Sequence, residues 1–271
     1  MAPAQPETVP AVILRTRPLG DADLVVVLMT PTHGKVEAAA RNARKSRKRF
    51  AGGLSPGMRG NASIARSARS TSALLRLGGF EPTALHADVG RDLTRFAFVA
   101  YVCELTDELV LGQQPDPKLF SELCAVLEII LPGTLDARAP GPAVLRRYEL
   151  VLLRELGLLP ALRQCAVCGR TARAPVDTRV AFEARHGGVL CAEHGSRATR
   201  LDATVVAVAA ALSGEHTDAA GLAEIDQRPP GFRRGLRDVT YGVLRQHLRR
   251  PLRSLALFRQ LAIGGPRGSE D

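Results

Sequence analysis

Two short segments, CAVCG at 165–169 and CAEHG at 191–195, place metal-binding side chains at the same spacing. Each segment begins with cysteine, offers a second ligand three positions later and ends with glycine. Cysteine sulfur and histidine nitrogen are preferred ligands of zinc, and three cysteines with one histidine make a common closed tetrahedral site. The sequence therefore predicts one structural Zn²⁺ ion bound by Cys165, Cys168, Cys191 and His194.

Three alternatives to this site stay open at the level of the sequence. In the first, the spacing of the four residues is accidental and they bind no metal. In the second, His186 replaces His194 as the fourth ligand, although the matched spacing favours His194. In the third, the chain is a zinc-dependent nucleic-acid enzyme with Glu193 beside the metal. Such an enzyme needs an open metal position, and the His-x-Glu of zinc deaminases does not occur in the chain.

The stretch between the two ligand pairs predicts how this module is built. The sequence VAFEARHGGVLC at 180–191 is typical of a β-hairpin with its turn at 186–188. Gly169 and Gly195 each follow a second ligand, where a tight turn often needs a positive φ. Residues 165–200 are therefore predicted to form a zinc-ribbon-like module.

Charge around this module suggests a further alternative, a zinc-containing regulator that binds DNA sequence-specifically. Residues 165–200 carry six arginines against three acidic residues. No recognition helix is evident between the ligand pairs, so this interpretation is less favoured.

The positive charge of the chain is concentrated at its N-terminal end. Residues 1–80 hold 13 lysines and arginines against 4 acidic residues, a net charge of +9, whereas residues 81–271 hold 24 against 23. A compact basic domain favours a polyanionic partner, with nucleic acid first and an acidic protein tail or membrane surface second. Six cations lie in one short stretch and are predicted to contact phosphates: Arg41, Arg44, Lys45, Arg47, Lys48 and Arg49.

Aromatic residues are scarce, at 4% of the chain with no tryptophan, and the range 1–80 contains only Phe50 and Phe80. Proteins that bind single strands without sequence preference usually add aromatic stacking platforms to their charge. We therefore expect binding led by the phosphate backbone, with little reading of the bases.

The basic range 1–80 also has the pattern of short strands. Apolar runs at 11–20 and 21–30 are separated by a Gly-Asp turn signal, and residues 58–68 and 71–79 alternate apolar with polar side chains. Residues 35–43 fit either a third strand or a short helix. Five short strands predict a small closed or nearly closed barrel, and the OB-fold is the five-stranded barrel with a nucleic-acid face.

From Pro82 onward the apolar period becomes helical. Helices are predicted at 84–112, 115–133, 141–160, 202–212, 230–250 and 251–261. The predicted fold class is α+β and multidomain, an OB-fold-like β-barrel followed by a mainly α-helical domain that carries the zinc-ribbon-like module. The predicted boundaries are 1–80 for the barrel, 81–164 and 201–262 for the helical domain, 165–200 for the zinc module and 263–271 for a disordered tail.

The composition argues against membrane-spanning and secreted classes. The apolar run LVVVLM at 24–29 is far shorter than the roughly 18–20 residues that span a bilayer. The opening stretch MAPAQPETVP shows neither a basic nor an apolar signal region, so a cytoplasmic location is expected. A reducing compartment favours metal binding over disulfides for the paired motif, and Cys103 and Cys124 are expected to behave as small buried hydrophobes.

The segment at 13–57 resembles the opening of the RecO recombination-mediator proteins. It contains an R-T-x-x-x-G-x-x-D turn, a T-x-x-H-G-K turn and the basic loop ARKSRKRFAGGL. The order of barrel, helices, C-x-x-C…C-x-x-H module and closing RSLALFRQL segment fits as well. The resemblance covers most of the chain, and it is most specific in the segment up to Gly57 and at the zinc module.

This resemblance implies a non-enzymatic DNA repair protein, cytoplasmic and associated with the nucleoid. Such proteins bind single- and double-stranded DNA and anneal complementary strands. With RecR they help load RecA onto DNA coated by single-strand-binding protein, whose acidic C-terminal tail contacts the helical domain. The family's DNA-contacting positions fall on Lys35, Arg41, Arg44, Lys45, Arg47, Lys48 and Arg49, and its zinc positions fall on Cys165, Cys168, Cys191 and His194.

Overall fold

Backbone contacts divide the chain into two compact units, Met1–Ala139 with Leu252–Ile263 and Pro140–Pro251 with Gly264–Asp271. The computed structural model describes residues 5–46, 48–50, 52–66, 74–83, 92–131, 139–171, 178–214 and 217–261. The predicted tail at 263–271 lies outside the described residues, and the predicted domain boundaries remain predictions.

Five strands of the first unit close into a barrel in the order β1-β2-β3-β5-β4, with β1 also paired to β4. Neighbouring strands are antiparallel except for β3 and β5, which run parallel. This is the OB-fold-like barrel that the sequence predicted, and the third segment is a strand rather than a helix. The strands are β1 (Glu7–Leu19), β2 (Asp23–Thr30), β3 (Gly34–Ala40), β4 (Arg59–Ala65) and β5 (Leu75–Pro82).

The barrel core follows from the alternation of side chains along each strand. In β3, Val36 and Ala38 point inward and are buried, whereas Lys35 and Glu37 lie on the outer face. Strand β2 departs from alternation because both of its faces are covered. Its inner face belongs to the barrel core, and the helices that follow the barrel pack against β1 and β2 on the outside.

Among its described residues, the first unit also has three helices: α1 (Leu93–Leu109), α2 (Pro117–Ile130) and α7 (Leu255–Gln260). Asp92 caps α1 by accepting hydrogen bonds from the backbone amides of Thr94 and Arg95, and Asp116 caps α2 in the same way at Leu119. In the second half of α1, Cys103 is 1% exposed, and its Sγ lies 3.8 Å from the carbonyl oxygen of Ile13 in β1. These contacts place one face of α1 directly on β1.

The described part of the second unit contains four α-helices and a small sheet. Strands β6 and β7 form the predicted hairpin, and β8 adds a third strand that the sequence did not predict. Helix α5 was also not predicted; it is nine residues long, and Leu222 is its one buried residue. The elements are α3 (Ala143–Glu155), β6 (Arg179–Glu183), β7 (Gly188–Leu190), β8 (Thr199–Asp202), α4 (Ala203–Leu212), α5 (Ala219–Gln227) and α6 (Pro230–His247).

Each helix that the sequence predicted is found at its expected place within the described ranges, and each is shorter than predicted. Part of the predicted helix at 84–112 and part of the strand at 71–79 lie outside the described residues. None of the described helices combines the length and the apolar character that a membrane span requires.

Candidate metal centre and nucleic-acid interface

Four side chains of the second unit converge at one point. The ligand atoms of Cys165, Cys168, Cys191 and His194 all lie within 4.8 Å of one another. Cys168 Sγ is 3.8 Å from Cys191 Sγ, and His194 Nδ1 is 3.7 Å from Cys165 Sγ and 3.2 Å from Cys191 Sγ. The predicted set of four residues is therefore brought together by the fold.

These distances fit a tetrahedral metal site. With a Zn–S bond of about 2.3 Å and a Zn–N bond of about 2.0 Å, tetrahedral geometry requires roughly 3.8 Å between sulfurs and 3.6 Å between sulfur and nitrogen. The Cys168–Cys191 and Cys165–His194 separations match these values, and the Cys191–His194 separation of 3.2 Å is somewhat shorter. Three thiols with one imidazole form a donor set suited to a soft divalent ion. The cluster could thus hold one metal ion in a closed site.

The two ligand pairs are positioned by tight turns. Gly169 has φ 71° and donates its backbone amide to Cys165 O at 2.9 Å, as the sequence predicted for a left-handed turn. For Gly195 the prediction of a positive φ is wrong. Glycine is needed there because a Cβ atom would lie 2.5 Å from the Ala181 side chain, so the turn packs directly against β6.

The thiol environment also suits metal binding. Burial would by itself raise the pKa of Cys165, but backbone amides of Cys191, Cys168 and Val167 donate to its sulfur and lower the pKa to about 6. The pKa of Cys191 is lowered in the same way, first by the backbone amide of His194. The thiolate, which is the metal-binding form of cysteine, is therefore favoured at Cys165 and Cys191. The other two ligands shift the other way: although the backbone amide of Arg170 donates to Cys168, burial and the neighbouring thiols raise the pKa of Cys168, and hydrogen bonds with Cys191 and Cys165 raise the pKa of His194.

The alternative residues near the site lie elsewhere. His186 follows β6 in a 3₁₀ turn, where its Nδ1 lies 3.1 Å from Glu183 Oε2, outside the ligand cluster. Glu193 forms an exposed ion pair with Arg170 at 3.2 Å. The geometry therefore favours His194 over His186 as the fourth ligand, and Glu193 is not one of the converging residues.

The cysteines outside the cluster are buried or half-buried side chains of α1 and α2. Burial raises the pKa of Cys103 to about 12, and burial likewise raises the pKa of Cys124. These thiols stay protonated at neutral pH and act as small hydrophobes, as the sequence predicted.

The basic loop, residues 41–49 after β3, is held to the barrel by its backbone. Asn42 adopts φ 54° and donates its backbone amide to Asp23 Oδ1 at 2.8 Å, and the backbone amide of Arg44 donates to Ala22 O at 3.1 Å. Positive φ is tolerated better by asparagine than by most residues. The β1–β2 turn therefore supports the loop from one side.

The side chains of this loop fall into two groups. Arg41, Arg44, Lys45 and Lys48 are exposed to solvent, and Arg47 lies outside the described residues. Arg49 instead closes the loop, since its guanidinium donates to Arg41 O at 2.7 Å and lies over the Phe50 ring at 5.2 Å. The four exposed cations form the basic patch, by which we mean Arg41, Arg44, Lys45 and Lys48.

Lys35, predicted as a DNA contact, has a different environment from the basic patch. Its side chain is 18% exposed, and its Nζ donates to the backbone oxygen of Asp107 and lies 3.3 Å from Asp107 Oδ1. Asp107 also accepts from Arg15 Nε at 2.6 Å. The structure thus places Lys35 in an ion-pair network between β1, β3 and α1.

Two family models match the chain. The model described as Recombination protein O N terminal matches residues 5–80, and Recombination protein O C terminal matches residues 90–256. The chain belongs to the RecO family. The role of a RecO-family protein lies in DNA repair and recombination.

Curated relatives agree with the family models. A DNA repair protein RecO from Anaeromyxobacter sp. (strain K) is 39% identical over 243 residues, covering 89% of this chain and 91% of the relative. The DNA repair protein RecO of Myxococcus xanthus (strain DK1622) is 36% identical over 253 residues, covering 93% of this chain and 97% of the relative. The DNA repair protein RecO of Geobacter sulfurreducens is 34% identical over 251 residues, covering 93% of this chain and 96% of the relative.

Sequence reasoning missed Asp107 and Glu37 in this RecO-family chain. Asp107 is a buried carboxylate on a helix face made mostly of apolar residues, one turn from Cys103. A single acid within an apolar stripe was the signal that would have pointed to it, because such a charge must find a partner. Glu37 gives no signal in the sequence beyond its place on the outer face of β3.

We predict that Asp107→Ala destabilises the first unit by about 2–4 kcal/mol. The substitution removes the carboxylate that pairs with the mostly buried Lys35 and leaves it the backbone oxygen of residue 107, while the half-exposed Arg15 regains water and limits the cost. Urea unfolding of the full chain measures the loss. Glu128→Gln is the matched control. The Glu128 side chain is 70% exposed and lies 2.9 Å from Arg59, so this surface ion pair should contribute under about 1 kcal/mol to the free energy of unfolding. Equal losses in both variants would contradict the prediction.

Proposed function

We propose that this RecO-family chain binds single- and double-stranded DNA through its basic patch and anneals complementary strands. The observation that carries the proposal is the exposure of Arg41, Arg44, Lys45 and Lys48 together on one loop anchored to the barrel. Acidic residues are absent from the sequence between Arg41 and Asn61. Lysine and arginine in such a cluster bind phosphates and release condensed counterions.

A protein that screens phosphate charge without binding the bases tightly can promote annealing. Two single strands repel each other through their phosphates, and bound cations reduce that repulsion. The aromatic side chains of the barrel are unsuited to stacking because Phe50 and Phe80 are 2% and 1% exposed in its core. A surface that contacts phosphates and leaves base edges free supports pairing with a second strand.

The metal is proposed to be one structural Zn²⁺ ion, and the protein is proposed to be non-enzymatic. Four converging ligands leave no position for water or substrate in a tetrahedral site. In the described part of the stretch between the ligand pairs there are two strands and a 3₁₀ turn but no α-helix, which gives a sequence-specific regulator little support. An ion bound there would hold the β6–β7 hairpin and its flanking turns together.

The wider pathway is proposed from the family. Membership in the RecO family supports a partnership with RecR in loading RecA onto strands coated by single-strand-binding protein, with a contact to that protein's acidic C-terminal tail. It also supports a cytoplasmic, nucleoid-associated location. Lys35 belongs to the family's DNA-contacting positions, but its pairing with Asp107 supports an anchoring role.

Annealing of two complementary labelled oligonucleotides tests this proposal. We expect the full chain to raise the annealing rate at least tenfold over the protein-free reaction, both with bare strands and with strands coated by single-strand-binding protein. Alanine at Arg41, Arg44, Lys45 and Lys48 should return the rate close to that of the protein-free reaction. Lys118→Ala/Arg245→Ala, which removes two exposed cations but keeps the basic patch, should leave the rate largely unchanged. A rate that the wild-type chain does not raise would contradict the proposed function.

A further inference from the structure

Two arginines beside the basic patch share one acidic partner. Arg15 and Arg17 lie on the outer face of β1, and Glu37 lies on the outer face of β3. Arg17 NH2 is 3.3 Å from Glu37 Oε2, and Arg15 NH2 is 3.8 Å from Glu37 Oε1. One carboxylate therefore holds two guanidinium groups on the surface that leads to the loop.

These two ion pairs are weak compared with the network beneath them. The side chains of Arg15, Arg17 and Glu37 are 41%, 47% and 44% exposed, so water screens their attraction. Asp107 is 7% exposed and holds Arg15 Nε at 2.6 Å, which fixes the stem of that arginine. The buried carboxylate thus orients Arg15, while the exposed one only occupies its outer nitrogen.

The strand register places Arg17 near the end of the barrel that carries the basic loop, with Arg15 and Glu37 one row further in, on either side of Val27. Arg17 pairs with Val25, Val25 with Ala39, and Ala39 with Arg76. The row spans four strands, about 14 Å at the usual strand spacing, and Arg76 at its far end is exposed. Ala39 lies one residue before the end of β3, after which the loop begins.

We propose that Glu37 is an internal competitor for the phosphate backbone. Its carboxylate occupies Arg15 and Arg17 in the free protein, and a nucleic-acid strand crossing the row from Arg17 to Arg76 displaces it. This inference rests on the proposed function, and it concerns how strongly the surface holds a strand. Displacing Glu37 offsets part of the gain from two phosphate contacts, so the strand is bound loosely enough to be released to its complement.

Removing the competitor is expected to strengthen DNA binding. For Glu37→Gln we expect the Kd for an oligo-dT strand at 0.1 M salt to fall about fivefold, as two surface ion pairs no longer oppose binding. Most of the change should appear as slower dissociation. Fluorescence anisotropy measures Kd, and a chase with unlabelled oligo-dT in a stopped-flow instrument measures the dissociation rate.

The matched control is Glu7→Gln. Glu7 lies eight residues before Arg15 in β1 and pairs at 3.0 Å with His33, which is four residues, or about 13 Å in an extended chain, before Glu37. That distance exceeds the screening length of about 10 Å at 0.1 M salt, and Glu7 contacts neither arginine, so removing this charge should change Kd by less than twofold. Equal gains in Glu7→Gln and Glu37→Gln would overturn the inference, because net charge alone would then explain them.

Arg17→Ala, made in both backgrounds, provides the second readout. We expect it to weaken binding more in the Glu37→Gln background than in the wild type, because the freed arginine makes the fuller phosphate contact. If the wild-type chain binds oligo-dT and Glu37→Gln binds it no more tightly, this inference is overturned and the proposed function stands. Absence of oligo-dT binding by the wild-type chain would overturn both.

Discussion

Replacing Arg41, Arg44, Lys45 and Lys48 with alanine is expected to weaken binding to single-stranded DNA by roughly two to three orders of magnitude at 0.1 M salt. Each phosphate contact adds about 0.7 to the slope of log K against log salt for single strands. Four lost contacts reduce that slope by about 3 and remove a corresponding share of the affinity at low salt. Stability should change little, because all four side chains are exposed.

Anisotropy titrations between about 50 and 400 mM salt measure both the affinity and the slope. A control variant with the same loss of charge replaces four exposed cations of the helices and the segment after α6: Lys118, Arg234, Arg245 and Arg249. This control should keep most of the affinity and the slope. A similar loss in both variants would show that binding depends on net charge rather than on the basic patch.

Arg49 and Lys35 are left intact in this variant for a structural reason. Arg49 closes the loop onto the Arg41 carbonyl, and Lys35 compensates Asp107. Changing either residue would mix a loss of structure with a loss of phosphate contacts.

Cys165→Ala is expected to abolish metal binding and to destabilise the zinc module while leaving DNA affinity within about twofold of the wild type. Cys165 is 2% exposed and packs with Ala181, Leu190 and Cys191, so its loss removes both a ligand and a core side chain. Zinc contributes about 10–16 kcal/mol to folding in isolated zinc-finger peptides. The effect within this larger unit should be smaller, and it should appear as a lower Tm and reduced solubility.

Metal content by inductively coupled plasma mass spectrometry and thermal unfolding test this prediction together. The wild type should carry about one zinc ion per chain. Cys124→Ala is the matched control, since this half-buried cysteine of α2 is outside the cluster and its loss should leave the metal content unchanged. An equal loss of stability and DNA affinity in folded Cys165→Ala would show that the module also contacts DNA.

Local patterns made much of this molecule predictable from its sequence. Period-two alternation in β3 and β4, helical periodicity after Pro82 and the two matched ligand pairs each depend on a few neighbouring residues. The family resemblance placed these elements in the correct order, and the family models confirmed the resemblance. The unpredicted elements, β8 and α5, have four and nine residues, which is too short to show a clear period.

Contacts between distant residues were decided only by the tertiary structure. The sequence could not show that Asp107 meets Arg15 and Lys35, which are 92 and 72 residues away. It also could not separate the exposed cations from Arg49, because burial depends on how the loop returns to Phe50. Position 195 is a similar case. Glycine is required there because the Ala181 side chain of β6 leaves no room for a Cβ atom, and not because of the backbone φ.

The sequence by itself determined the type of chemistry: which side chains can bind a metal, and where the positive charge is concentrated. Both depend on residue type and spacing along the chain. The tertiary structure decided which of these groups remain available to a partner, because a charge that already has a buried counterion, such as Lys35, is no longer free to bind phosphate at low cost. Availability depends on burial and pairing across the fold, and these arise only when distant strands and helices pack together.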